Sequence, residues 1–318
     1  MSCTEITQAQ RKKNIYKHTK IGRSKAMEFS HIMRNTKFDL TRKNVNCSNF
    51  DFYLFGGLLT LPLNDTNAAY GYKNGAWKQL NSLPQNVHIH NSLFYRNSLY
   101  LFGGKGKLTT YKYENNAWNS MAQMKIIRLN HSTSSVLNDK IYVFCGNDTT
   151  NIPIEYYDGN IWTETLIMTP IKYGATSITY NGVIYLFGGH LDAVTISTNV
   201  YSFDGTNIAL RGAMPPKSLH ASVIYKNEIY IIGGLINIST ITNTVYKWNQ
   251  THTAWTTVSP LQQARYGHSA LVYDDAIYVF GGNIGTQTTN TIEKYDGTNW
   301  TVVPFTLPLS LMYHTTTN

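Results

Sequence analysis

An all-β fold made of six repeats is predicted by three observations in this sequence. The 318 residues include 23 Tyr and 12 Phe, which favour strands, and only 14% of the residues are charged. A short aliphatic and aromatic segment ending in two small residues recurs six times, at intervals of 42 to 48 residues. Each interval holds tight-turn signals and has room for about four short strands. These features predict a six-bladed β-propeller with four antiparallel strands per blade.

The recurring strand is the clearest element of each repeat. Gly-Gly ends five copies, and Cys145-Gly146 ends the third. Glycine inside a strand commonly marks a close approach of another backbone, and cysteine is small and apolar enough to be tolerated there. The six copies are Tyr53–Gly57, Leu99–Gly104, Ile141–Gly146, Ile184–Gly189, Ile229–Gly234 and Ile277–Gly282.

Turn signals on both sides of this strand divide each repeat into two hairpins. Before it lie dipeptides such as Asn138-Asp139 and Asp274-Asp275, which favour tight turns. After it a Tyr leads through a second turn to a Trp, as in Tyr295–Trp300. The fifth repeat lengthens this second turn, and the fourth has Ile208 in place of the Trp. Two hairpins per repeat predict one four-stranded blade.

The ring must close where the first and last repeats meet, because an open strand edge promotes aggregation. Segment Asn44–Ser48 matches poorly the strand that precedes the recurring strand in other repeats. The C-terminal segment Pro308–Thr315 is similar to the entry of other repeats, such as Pro84–Asn91. We therefore predict that the C-terminal segment supplies the missing strand of the first blade.

The diglycine strand, the following Tyr and the later Trp together resemble the kelch family over residues 44–318. None of the six Trp is followed by Asp, which argues against WD40 propellers. The resemblance implies ring closure by the last strand and partner recognition by the loops after each diglycine. It also implies a protein-interaction scaffold or adaptor without catalytic activity.

Positive charge is concentrated in the first 43 residues. They hold eleven Lys or Arg against three acidic residues, and so contribute +8 of the formal net charge of +9. Few large apolar residues accompany this charge, so residues 1–43 are predicted to form a short, flexible basic tail. Residues 44–318 are predicted to be the propeller, and their near-neutral balance argues against nucleic-acid binding by it.

Cysteine usage and hydropathy predict a cytoplasmic protein that is not in a membrane. Cys3, Cys47 and Cys145 form no close pair, which fits a reducing compartment. The sequence shows no apolar run near the ~20 residues that span a bilayer, and no secretory signal core. Arg11-Lys12-Lys13 leaves nuclear import open, and with it a nucleus-directed scaffold as an alternative function.

Histidines are the obvious candidates for a metal site. Five of them, however, occupy nearly the same place in successive repeats, 13 or 14 residues before the small pair where one follows. In a six-bladed ring such residues stand about 60° apart, so we expect hydrogen bonds within each blade instead of shared metal ligation. No metal site and no cofactor are predicted. The five are His90, His131, His220, His268 and His314.

An enzymatic propeller is the main alternative to a scaffold. Copper oxidases with a kelch propeller have a Cys that is joined to a Tyr. Cys145, however, occupies a glycine position here. A sialic-acid mutarotase-like enzyme would need a carboxylate and an Arg, which Asp148, Asp192 and Arg128 could supply. Their spacing does not bring them together. A small-molecule enzyme using the channel therefore stays the alternative, and no catalytic residue is predicted.

The loops after the small pairs vary in length and charge, whereas the strands stay regular. Variable loops on a fixed scaffold are typical of a recognition surface. We predict that these loops contact a protein partner whose identity is open. The candidate residues are Lys105, Lys107, Asn147, His190, Asp192, Asn283 and Gln287.

Overall fold

The computed structural model describes residues 50–60, 63–148, 152–248 and 254–318. All the named regular elements within these ranges are β-strands. Within the same ranges, no helix has the length and apolar character needed to cross a membrane. The predicted tail at residues 1–43, the domain boundary at residue 44 and the segment Asn44–Ser48 lie outside the described residues.

Six antiparallel sheets of four strands form the six blades, as predicted. Blade 1 contains β1 (Phe52–Phe55), β4 (Ala69–Lys73), β5 (Ala76–Gln79) and β26 (Thr315–Thr317), and a small hairpin of β2 (Leu58–Thr60) and β3 (Leu63–Asp65) follows β1. Blade 2 contains β6 (His90–Tyr95), β7 (Ser98–Gly103), β8 (Thr110–Glu114) and β9 (Ala117–Ser120). Blade 3 contains β10 (Thr133–Leu137), β11 (Lys140–Phe144), β12 (Ile152–Tyr157) and β13 (Trp162–Thr169).

Blades 4 to 6 repeat the same strand order. Blade 4 contains β14 (Thr176–Tyr180), β15 (Val183–Phe187), β16 (Asn199–Phe203) and β17 (Ile208–Ala213). Blade 5 contains β18 (Ala221–Tyr225), β19 (Glu228–Ile232), β20 (Val245–Trp248) and β21 (Thr256–Val258). Blade 6 contains β22 (Ser269–Tyr273), β23 (Ala276–Phe280), β24 (Ile292–Tyr295) and β25 (Trp300–Val302).

The C-terminal strand closes the ring. Strand β26 pairs antiparallel with β1, with Thr315 opposite Phe55 and Thr317 opposite Tyr53. It also contacts β6 of blade 2 and β22 of blade 6, so it lies at the axis like the first strand of every other blade. The predicted closure is confirmed, and the pairing covers the inner edge of β1.

The tight turns adopt the backbone that their sequences favour. Asn138 and Asp139 have φ angles of 47° and 56°, and Asp274 and Asp275 have φ angles of 47° and 54°. Two successive residues in the left-handed region define the type I′ turn, whose twist matches that of the flanking strands. The dipeptides therefore set the short hairpins that the sequence predicts.

The recurring Trp ties each blade to the blade before it. Trp162 of blade 3 packs against Phe102 of blade 2, with ring centroids 5.4 Å apart, and its Nε1 donates to Thr110 Oγ1 at 2.9 Å. Ile208, which replaces the Trp in blade 4, packs against the apolar core between blades 3 and 4. The other four indoles donate from Trp77 to Thr306 O, Trp118 to Asn81 O, Trp255 to Ala213 O and Trp300 to Ser259 O.

Candidate functional site

Two sets of loops share one end of the propeller. Because each blade is antiparallel, the loop after the diglycine strand and the connection to the next blade emerge at the same end. Hydrogen bonds of 2.8 Å join the two sets. We call this end the loop face, and the opposite end, with the tight turns, the turn face. These bonds run from Gly57 N to Val87 O, Gly189 N to Lys217 O and Gly234 N to Arg265 O.

Lys105 and Lys107 lie on the loop face, in the short loop of blade 2. Lys105 is exposed and Lys107 is half-buried. The backbone between them is anchored, since the amide of Gly106 donates to the carbonyl of Arg128 at 2.9 Å. Both lysines therefore project from a fixed loop and can contact a partner.

Three further candidates also belong to loops of this face. Gln287 is exposed, and Asn147 is half-buried. Asp192 is half-buried, and its Oδ1 accepts hydrogen bonds from the amides of Val194 and Thr195 at 2.9 and 2.7 Å. These bonds favour the charged carboxylate and lower the pKa of Asp192. Asp192 thus shapes its own loop as well as facing solvent.

His190 and Asn283 are buried, with 4% and 8% of their surfaces exposed. The ring of His190 stacks on Tyr173, with centroids 4.4 Å apart. Asn283 pairs through its backbone with Tyr266 and Thr288. Both residues continue the blade beyond its regular strands, so their side chains point into the protein. Neither side chain therefore belongs to the exposed surface of the loop face.

Exposed aliphatic side chains on the loop face were missed by the sequence reasoning. The 69% exposed Leu63 and the 64% exposed Val194 are the most accessible of them. The sequence signal that could have found them is a large apolar residue in a segment that turn-forming residues mark as a loop. The set is Leu63, Ile127, Leu129, Val194, Ile236 and Ile238, and we call it the aliphatic rim.

Two buried ion pairs lie beneath the loop face. Arg128 pairs with Glu155 at 3.1 Å in blade 3, and Arg265 pairs with Glu293 at 2.6 Å in blade 6. All four side chains are at most 2% exposed. Removing one partner of such a pair would leave a buried charge uncompensated. Arg128, which a mutarotase-like enzyme would need in its pocket, therefore has a structural role here.

Lys217 takes the place of these arginines in blade 5, and no carboxylate pairs with it among the described residues. Its ammonium donates to Gly233 O at 2.9 Å and to Thr244 Oγ1 at 2.6 Å, and it lies 5.2 Å from the ring centroid of Tyr246. Burial lowers the pKa of Lys217 to about 7. This lysine links the loop-face connection to the strands of its own blade.

Histidines near the axis join neighbouring blades. The prediction of hydrogen bonds within each blade is wrong, because the first strands of adjacent blades converge at the axis and bring three of the imidazoles to a hydroxyl of the preceding blade. Within the described part of the chain no group of three His, Cys, Asp or Glu is placed to hold a metal ion. The bonds join His90 to Thr315 at 2.9 Å, His220 to Thr176 at 2.8 Å and His314 to Ser269 at 2.9 Å.

His131 is displaced from this ring by one residue. Thr133 lies opposite Phe144, as the residue after the ring histidine does in blades 5 and 6. Ser132 therefore occupies the histidine position, and it accepts a hydrogen bond from Asn91 Nδ2 at 2.8 Å. The connection before β10 has one extra residue, which places His131 14 residues before the small pair instead of 13.

A cavity of about 260 Å³ lies on the ring axis. All six blades contribute to its lining through their first strands and the residues just before them. The described lining residues include serines, threonines and the axial histidines, and none is Asp, Glu, Lys or Arg. The axis is therefore a neutral polar environment.

The comparisons with known proteins agree with this architecture. A family model described as the KLHDC2/KLHL20/DRC7 Kelch-repeats domain matches residues 174–311. A solved structure titled "Structure of YjhT" superposes with a TM-score of 0.65 and 17% identity, covering 80% of this chain and 95% of that one. That likeness supports the propeller fold.

Curated relatives match over shorter stretches. Kelch-like protein 40 of Xenopus tropicalis is 28% identical over 39% of this chain and 22% of its own length. Beta-scruin of Limulus polyphemus is 27% identical over 40% of this chain and 15% of its own length. Human Kelch repeat and BTB domain-containing protein 4 is 35% identical over 29% of this chain and 18% of its own length. The chain thus spans less than a quarter of the length of these three relatives. The repeats, the family match and these relatives together support a kelch-repeat family for this chain.

Proposed function

We propose that this chain is a scaffold that binds a protein partner through its loop face. The aliphatic rim is the observation that carries the proposal. Six large aliphatic side chains are exposed on loops of a single face. Exposed apolar side chains grouped among polar ones are typical of protein interaction sites. The kelch-repeat relatives, as repeat proteins, support the same interpretation.

Charged residues accompany the apolar ones at the blade 2 edge of this face. Leu129 approaches the blade 2 loop, since a Cβ built on Gly106 would lie 3.8 Å from Leu129 Cδ2. Lys105 and Lys107 flank that glycine. An aliphatic contact bordered by flexible cations provides both burial and electrostatic selection of a partner.

Catalysis in the axial cavity has less support than binding. General acid and base catalysis needs a group whose pKa lies near the working pH. The described lining offers no carboxylate or amine, and burial lowers the pKa of His90, His220 and His314 to about 3. These neutral imidazoles are also engaged with hydroxyl groups of the preceding blade.

A loop-face variant tests the proposal. Combining Ile127→Ser, Leu129→Ser, Val194→Ser and Ile238→Ser should weaken partner capture more than tenfold, because one interface hot spot is commonly worth about 2 kcal/mol. The melting temperature should stay within about 2 °C, because the four side chains are exposed. Affinity purification with quantitative mass spectrometry measures the capture.

The matched control removes equally exposed aliphatic residues elsewhere. Ile161→Ser and Leu210→Ser change side chains that are 57% and 61% exposed and lie in the β12–β13 turn of the turn face and on the outer strand of blade 4. The control variant should retain the partners. If the control variant loses them and the loop-face variant keeps them, binding uses another surface and the proposal is wrong.

A further inference from the structure

The axial cavity is separated from the loop face by two aromatic side chains. Tyr313 of blade 1 contacts His131 of blade 3, with ring centroids 4.2 Å apart. On its other side the Tyr313 ring lies over blade 6, where a Cβ built on Gly267 would come within 2.5 Å of it. Blades 3 and 6 are on opposite sides of a six-bladed ring. The Tyr313 ring therefore spans the axis and narrows the cavity at its loop-face end.

The backbone around Tyr313 holds this arrangement. The amide of Tyr313 donates to Gly267 O at 2.7 Å, and its carbonyl accepts from Ile89 N at 3.1 Å. Tyr313 also has a φ angle of 57°, a left-handed conformation that only surrounding contacts maintain in a tyrosine. The narrowing at this end is thus built into the ring, and the cavity is a site distinct from the proposed partner-binding face.

Five hydroxyl side chains and Ala270 form a level of the cavity wall next to the axial histidines. Two of these groups already have protein partners. Ser177 Oγ lies 2.9 Å from both Thr133 Oγ1 and Ser135 Oγ, and Thr316 Oγ1 donates to Ser269 Oγ at 2.9 Å. The six residues at this level, two positions after the ring histidine or its replacement, are Ser92, Ser134, Ser177, Ser222, Ala270 and Thr316.

Several polar atoms of the lining have no hydrogen-bond partner among the described residues. They are Ser92 Oγ, His131 Nε2, both ring nitrogens of His268, and Nδ1 of His90, His220 and His314. His268 lacks its partner because Ala221 stands where the other blades have a hydroxyl or an amide. Buried polar atoms are nearly always paired with protein, water or a ligand. Several unpaired polar atoms on the residues that line one cavity indicate that it holds a polar occupant.

The lining also determines the charge of that occupant. Burial lowers the pKa of His131 to about 3 and lowers the pKa of His268 well below its usual value, so both rings are neutral at physiological pH. A neutral cavity without a counter-ion strongly disfavours an ionic ligand. Hydroxyls and neutral imidazoles both donate and accept hydrogen bonds, which suits a molecule that carries several hydroxyl groups.

We propose that the axial channel is a binding site for one small neutral polyol, from the size of glycerol to that of a cyclitol. Its hydroxyl groups would pair with Ser92, His131 and His268 and contact the half-buried Ser222. The turn-face end provides the entry, because Tyr313 narrows the other end. The alternative occupant is a chain of water molecules, and in that case the channel would bind no polyol.

Titration of the whole chain with glycerol and myo-inositol tests the site, using saturation-transfer NMR and thermal shift. Both probes should bind saturably and raise the melting temperature. Glycerol 3-phosphate, which differs from glycerol by its charge, should not bind. Linear, unsaturable signals would mean an adventitious additive only and would overturn the proposal. Saturable binding of glycerol 3-phosphate would overturn it as well.

Three variants locate the binding. Ser222→Leu fills the channel and should abolish binding. Ser92→Ala removes one unpaired hydroxyl with little risk to the fold, and should weaken binding roughly fivefold, the loss expected for one hydrogen bond. Thr256→Leu adds similar bulk on the outer strand of blade 5, where Thr256 is exposed, and should bind like the unaltered chain. Polyol binding that survives both channel substitutions would place the site elsewhere. The loop-face variant should retain polyol binding.

Discussion

Cys145 and Ala175 show how one substitution in a repeat is matched by another in the next repeat. In most blades the first glycine of the pair is needed because the next blade's histidine packs on it. A Cβ built on Gly56 would lie 2.8 Å from the His90 ring, and one built on Gly233 would lie 2.8 Å from the His268 ring.

Blade 4 has Ala175 at the histidine position, and blade 3 has Cys145 at the glycine position facing it. Both belong to one buried apolar cluster, and Cys145 keeps a φ angle of 50° although it is not glycine. Burial raises the pKa of Cys145 to about 12, so the thiol stays neutral. The sulfur occupies the space that an imidazole fills at four of the other five seams.

Ala175→His should therefore destabilise the protein on its own, because the ring would meet the Cys145 side chain. Overpacking of this kind typically costs about 1–3 kcal/mol. The double variant Cys145→Gly with Ala175→His should recover at least half of that loss, since it restores the arrangement of the other seams. Urea unfolding of both single variants and the double variant measures the coupling. Additive effects of the two substitutions would show that the two sites are independent.

At the scale of elements, β26 supplies both pairing and core contacts. Its register places Thr316 opposite Leu54 of β1. The segment leading into it buries Leu307 and Leu311, which are 1% and 0% exposed, in the core between blades 6 and 1. Strand β26 thus completes the hydrogen-bond ladder of blade 1, and the segment before it fills the apolar core between blades 6 and 1.

Deleting Pro308–Asn318 should lower the melting temperature sharply and promote aggregation. Loss of a buried leucine side chain alone typically costs about 2–5 kcal/mol, and the deletion also exposes the edge of β1. Differential scanning calorimetry and light scattering measure the two effects. Deleting only Asn318, whose side chain makes one exposed bond to Val272 O, is the matched control and should change little. Equal melting temperatures for the two deletions would refute closure by β26.

At the scale of the whole molecule, buried neutral histidines couple stability to pH. Burial lowers the pKa of His90, His131, His220 and His314 from about 6.5 to about 3. Between these values the unfolded chain binds protons that the folded chain does not. The free energy of unfolding therefore decreases as pH falls from 6.5 toward 3, and the histidine contribution is fully present above pH 6.5.

We accordingly expect urea unfolding midpoints to be constant between pH 7 and 8 and to fall steadily below pH 6.5. For each histidine, every tenfold drop in proton affinity on folding corresponds to about 1.4 kcal/mol, so several such groups are enough to unfold the ring in mild acid. His220→Gln, which keeps a polar group near Thr176, should reduce the slope of stability against pH. A flat profile from pH 7 to 4 would contradict neutral burial of these rings.

The sequence by itself determined the number of blades, the turns and the closing strand. These features depend on local signals that repeat, namely alternating apolar residues, left-handed turn dipeptides and small residues at close contacts. The similarity of Pro308–Thr315 to the entries of other repeats was enough to identify β26. Lys105 and Gln287 could be predicted as exposed because they lie in loops.

Only the tertiary structure decided which loop residues face solvent and which groups the histidines contact. His190 and Asn283 follow a small pair just as Lys105 does, yet their side chains are buried because their backbones extend the blade. His90, His220 and His314 bind hydroxyls of the preceding blade, and one added residue moves His131 to the channel mouth. These outcomes depend on contacts between residues about 45 positions apart in the chain, and a local pattern carries no signal for the side chain that a neighbouring blade places opposite it.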